Sequence, residues 1–178
     1  GGSNVLMGDP TSTNGGQGGQ VWMSGINGYL QSTTANEYFG WRLALSNNNT
    51  VFVGAPNNAT GGANAGRVYL SNYGGTGYQS NIQTISPPTP TANDQFGFAV
   101  ASAGNRVVIG APGHDSAGPN AGAVFVYQKI RGVWQLAAKL VAPDPGGGYD
   151  AFGYSLAMVN NTVVIGAPND DSDANPLS

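Results

Sequence analysis

The sequence predicts an all-β fold, and three observations predict it. Phe-Gly recurs at Phe39-Gly40, Phe96-Gly97 and Phe152-Gly153, and Gly-Ala-Pro recurs at Gly54, Gly110 and Gly166, both marks at almost equal steps. Between the two marks stand two apolar runs of strand length, joined by a turn of Asn, Ser or Gly. Helical periodicity is absent throughout. A four-stranded unit at this spacing is the pattern of a propeller blade. The chain is therefore read as β-propeller blades of four antiparallel strands, about three to four of them present, forming an incomplete propeller.

Taken in order, residues 1–36 form a partial blade. In it "NVLMGDP" stands where later copies have "TVVIGAP", "GQVWMS" is the third strand and "GYLQS" a short fourth, with Asp9 in place of Ala. Residues 37–92 are a whole blade, with strands in "FGWRLALS", "TVFVGAP", "RVYLSNY" and "YQSNIQTIS". Residues 93–148 are a second. Its fourth run, "VWQLAAKLVAP", has the best helix propensity in the chain, but it occupies the frame of "YQSNIQTIS" and is read as a strand. Residues 149–178 supply only "FGYSLAM" and "TVVIGAP". Both end pieces contain a second strand, so neither completes the other. The expectation is a part of a larger propeller, within a longer chain or completed by neighbouring copies, with Val163, Val164 and Ile165 exposed on an unfinished blade.

The punctuation has a physical reason. Glycine beside Phe39, Phe96 or Phe152 lets backbone pass close to the next blade while the ring fills the gap. Glycine before Ala-Pro permits a strained exit from a buried strand, and Pro56, Pro112 and Pro168 need donate no ladder hydrogen bond.

Composition narrows the partners. Hydrophobic residues make up 40% of the chain, enough for a core, whereas charged residues are only 8%. That is far below the usual share, and Gly, Asn, Ser and Thr take their place. The net charge is −3, with six basic residues scattered singly. No patch could neutralise a run of phosphates, so nucleic acid is not expected. No apolar run reaches the length of roughly 18 residues that spans a membrane, so membrane insertion is not expected either. The chain has no cysteine, hence no disulfide, thiolate zinc or cysteine nucleophile.

The repeats resemble the FG-GAP repeat, the blade of the integrin α-subunit propeller and of many bacterial and algal surface proteins. The resemblance rests on Phe-Gly at 39, 96 and 152, on Gly54-Ala55-Pro56, Gly110-Ala111-Pro112 and Gly166-Ala167-Pro168, and on the "NAG-x-V" run from Asn64 and from Asn120. It implies that Phe-Gly opens the innermost strand of a blade and Gly-Ala-Pro closes the second. It further implies a non-enzymatic extracellular or cell-surface scaffold for protein contact, adhesion or surface assembly, whose partner is another protein or neighbouring copies of the chain. A lectin-like module binding glycans is the alternative. Family members often carry a calcium loop between strands one and two; here those turns read "SNNNT", "SAGNR" and "VNNT", with no carboxylate to ligate calcium.

Few residues offer chemistry. Glu37, Asp94 and Asp150 stand two places before each Phe and are read as turn carboxylates accepting backbone N–H bonds. His114, with Asp115, is read as a solvated loop histidine, since the same place in the other copies holds Asn58 and Asp170. Asp171, Asp173 and Asn175 alternate like half a calcium loop, but Pro176 replaces the turn glycine; a solvated acidic loop is favoured, and calcium is the other reading. Asn48, Asn58 and Asn160 head Asn-x-Thr sequons and are the candidate glycosylation sites. Of the aromatics, Trp22, Trp41 and Trp134 are expected between blades, and Tyr73 and Tyr78, in "NYGGTGY", are the candidate ligand contacts.

Overall fold

The computed structural model describes residues 5–11, 18–25, 28–46, 49–74, 77–78, 83–143 and 148–171. Among these residues there is no helix, hence none long and apolar enough to cross a membrane. Their strands form four antiparallel sheets and no closed barrel. The first sheet is β1 (Leu6–Asp9), β2 (Gln20–Met23) and β3 (Tyr29–Gln31). The second is β4 (Arg42–Leu45), β5 (Thr50–Ala55), β6 (Arg67–Gly74), β7 (Gly77–Tyr78) and β8 (Gln83–Ile85). The third is β9 (Ala99–Ala103), β10 (Arg106–Ala111), β11 (Ala123–Ile130) and β12 (Val133–Leu140); the fourth is the hairpin β13 (Ser155–Val159) and β14 (Thr162–Gly166). This is an open array of propeller blades.

Two local outcomes show what outranks propensity. β12 is a strand because Arg131 and Gly132, at φ 52° and 85°, make a tight reversal after β11 and set the register Ile130 to Val133. Positive φ at both central residues is what a two-residue hairpin turn requires. Trp134 of β12 then meets the Phe52 ring edge-on at 5.1 Å. The fourth strand of the second sheet is a correction. Instead of one run from Tyr78, β7 folds back on β6, pairing Tyr73 with Tyr78, and only β8 lies beside Val68–Leu70.

The second and third sheets bury both faces of their second strands. Val51 and Val53 look toward the first sheet, in a cluster with Val21, Met23, Leu30 and Phe39. Phe52, between them in sequence, points the other way, into a cluster with Phe96, Val107, Ile109 and Phe125. The marks join the sheets. A Cβ on Gly54 would run into the Gly97 carbonyl, one on Gly110 into that of Gly153, and one on Gly8 into that of Gly40. The glycine closing one blade thus sits against the Phe-Gly of the next. Within each blade the same Phe-Gly is tied back, with Gly40, Gly97 and Gly153 N–H donating to the carbonyls of Gly54, Gly110 and Gly166.

The fourth sheet corrects the expectation for its exposed valines. Val164 is 66% exposed, but Val163 and Ile165 are half-buried. Strand alternation turns those two toward the third sheet.

Candidate functional site

The Phe-Gly turns, the Gly-Ala-Pro exits and the loops behind them gather at one end of the blades, because strand one leaves that end and strand two returns to it. There the chain repeats one backbone figure three times. Residues Asn36 and Tyr38, Asn93 and Gln95, and Tyr149 and Ala151 have positive φ on either side of the carboxylate residue. The main-chain carbonyls of Glu37, Asp94 and Asp150 accept the N–H of Asn57, Gly113 and Asn169. Left-handed residues cost conformational energy, so these hydrogen bonds are what hold them.

The carboxylates themselves are buried, each 1% exposed, and the three places are filled differently. Glu37 accepts from the Ser32 hydroxyl, the Asn58 amide and the Tyr69 hydroxyl, the last at 2.8 Å. It is therefore a hub for side chains of two sheets, which corrects its reading as an acceptor of turn N–H groups. Burial, with Glu37 second, pushes the Tyr69 hydroxyl up to about 12. Asp94 does accept a backbone N–H, from Thr91 at 2.7 Å, together with the Thr91 hydroxyl. Asp150 occupies the third place, with Asp170 on the following exit.

His114 is not a solvated loop residue. Its ring lies 5.5 Å from that of Phe125, only 9% exposed, and its Nδ1 accepts the Ser116 N–H at 3.0 Å. Burial lowers its pKa below the ordinary 6.5; Asp94 and then Asp115 pull it up, and Lys139 pushes it down. The sign follows directly. The unfolded chain binds a proton at a higher pH than the folded one, so stability is full above 6.5 and is lost as pH falls from 6.5 through the folded value. Thermal melts should decline over that window, and His114→Asn, which installs the amide found at Asn58, should flatten the slope. An equal slope in both proteins would remove His114 as its source.

Above these buried groups runs a row of rings that sequence reasoning missed. The residue after each Phe-Gly is aromatic: Trp41, Phe98 and Tyr154. Trp41 and Phe98 lie 5.6 Å apart and Phe98 and Tyr154 4.7 Å apart, so the row crosses three sheets. Tyr38 meets Trp41 edge-on at 5.9 Å, and the Arg42 guanidinium lies 5.5 Å from the Trp41 ring. Tyr38, Trp41, Pro56, Asn57, Gln95 and Phe98 line an open cleft of about 250 Å³. The signal was present in "FGW", "FGF" and "FGY". A larger cleft of about 420 Å³ lies between β8 and the β11–β12 turn.

The remaining candidates fall as follows. Asn58 is 2% exposed and its amide is engaged by Glu37 and Tyr69, so that sequon has no room for a glycan, whereas Asn160 is exposed at the β13–β14 turn. Asn48 lies outside the described residues. Asp171 is exposed; Asp173 and Asn175 lie outside the described residues, and among those described no three carboxylate or histidine groups cluster as a metal site. Tyr73 packs against the core cluster of the first two sheets instead of standing free, and the Tyr78 side chain lies outside the described residues. Trp22 pairs with Tyr29 at 6.3 Å.

A search of curated proteins found no match. A family profile described as the FG-GAP repeat matches three stretches, residues 32–71, 80–127 and 134–176, which together cover most of the chain. Each contains one Phe-Gly, and the motif glycines are the ones that join one sheet to the next. The chain belongs to the FG-GAP repeat family.

Proposed function

We propose that this chain is a non-enzymatic scaffold of an extracellular or cell-surface protein, and that the rim carrying Trp41, Phe98 and Tyr154 holds a protein partner. FG-GAP repeats are typically non-catalytic and typical of surface proteins, which supports the setting. The observation that carries the role is the row itself. A blade needs no ring at that position for its core, which Phe39, Phe96 and Phe125 already fill. Three aromatic residues there nonetheless make one partly open apolar surface beside the Asn57 and Gln95 amides. Rigid rings rimmed by adaptable polar groups are the usual anchors of protein contacts.

The chain, displayed on beads, is tested against peptide and glycan arrays. Peptide binding is expected, and Trp41→Ala or Tyr154→Ala should weaken it roughly 30-fold, the effect of a central anchor. Peptide binding indifferent to both variants would reject the rim. Binding confined to glycans would favour the lectin-like alternative, with Tyr73 as its candidate contact.

A further inference from the structure

The outer strands of the second and third sheets differ in length. β8 has three residues and is followed by Pro87 and Pro88, which keep it from running further, whereas β12 has eight and meets no proline before Pro143. β12 ends the strand order of the third sheet, with β11 on its inner side and, among the described residues, no strand on its outer side. The two-residue turn at Arg131 and Gly132 makes Ile130 and Val133 a hydrogen-bonded pair, so by alternation the N–H and C=O of Trp134 and Leu136 point outward. Unpaired groups of that kind are a template for one more strand.

The cleft of about 420 Å³ lies alongside this edge, lined by Leu70, Ile85, Tyr127 and Trp134 between the second and third sheets. The first three are each no more than 6% exposed, and the Tyr127 hydroxyl donates to the Ser86 carbonyl at 2.9 Å, so the floor is apolar and tied across both sheets. Trp134 and Leu136, opposite Lys129 and Tyr127 in the register, stand on the cleft side of β12. Every second side chain of a strand laid on β12 would point to that same side. The charge is one-sided as well. Lys129, Arg131 and Lys139, half of the six basic residues, lie on the β11–β12 hairpin, and the sequence has no acid between Asp115 and Asp144. Among the described residues no ion pair engages the three; Lys129 instead lies 5.8 Å from the Trp134 ring.

We propose that the outer edge of β12 binds an extended acidic segment of a partner protein as an added strand, with one apolar side chain of that segment in the cleft. Main-chain pairing supplies the affinity, and the cleft and the basic residues select the sequence. A second copy of this chain does not fit. Its own β12 would bring Arg131 and Lys139 against the same two residues in either strand direction, and like charges opposed across strands repel. The site shares no lining residue with the cleft at Trp41 and Phe98, so it stands or falls independently of that rim.

The probes are peptides of the length of β12, with leucine at the centre, valine and threonine beside it and glutamate at both ends, and a matching series with lysine for glutamate. Titrated into the fluorescently labelled chain, the glutamate peptide should bind and the lysine peptide should not. Lys139→Glu should weaken the glutamate peptide roughly tenfold, the size of one close charge pair lost. Arg106→Glu makes the same charge change on β10, two strands in from this edge, and should leave binding unchanged. N-methylation of the peptide separates strand pairing from charge. Methyl groups on the alternate amides that face β12 should abolish binding, and methyl groups on the other alternate set should leave it intact. Equal binding of both series, no binding of either, equal tolerance of the two methylated sets, or a Lys139→Glu effect no larger than that of Arg106→Glu would each overturn the proposal.

Discussion

Truncation of Phe96 to alanine is expected to lower the unfolding free energy by about 4 kcal/mol, near the middle of the range for a buried phenylalanine. The ring is fully buried, 5.3 Å from Phe125 and 6.4 Å from Tyr127, and it sits where the second and third sheets meet. Its backbone is held as well, its N–H donating to the Ala65 carbonyl of the preceding blade, so the site cannot collapse around the void. Phe152, at the same place one blade later, is only half-buried and should cost clearly less when truncated. Urea unfolding of both variants measures the difference. Equal losses would mean that the ring does not act as the plug between blades.

Gly54→Ala should cost about 3 kcal/mol, the upper part of the overpacking range, although a single methyl group is added. The new Cβ would meet the Gly97 carbonyl, and both partners are backbone held in hydrogen bonds, so neither side-chain rotation nor solvent offers relief. Gly104→Ala is the comparison. Gly104 has φ 58° but open space around it. Alanine there meets only the cost of the left-handed backbone, about 1 kcal/mol. If the two variants melt alike, close approach of the blades is not why Gly54 is glycine.

The repeat frame was legible because its marks are backbone devices: glycines at contacts that admit no Cβ and prolines beyond a strand's last hydrogen bond. The same frame placed β12 correctly against its helix propensity. What escaped depends on which side chains meet across blades. Asn58 and His114 read as loop residues because their neighbours are polar, yet Glu37 and Tyr69 enclose the first and Phe125 covers the second. Those partners are distant in sequence and have no local signature. Tyr73 shows the same limit from the other side, since its glycine-rich setting gave no sign that the ring, half-buried, would pack against the cluster between the first two sheets. The aromatic row needed only the residue after Phe-Gly to be compared across copies.

The three exits after Gly-Ala-Pro share one backbone turn, closed by the N–H of Asn58, His114 and Asp170 on the carbonyls of Ala55, Ala111 and Ala167. That turn is made wholly of main-chain groups, and it carries an amide, an imidazole and a carboxylate in turn. The position therefore works as a socket, in which a side chain can be exchanged without rewriting the peptide path that presents it. Grafting chemistry onto this chain would begin there, with three sockets at one end of the blades that share a peptide path and differ in the side chain they present.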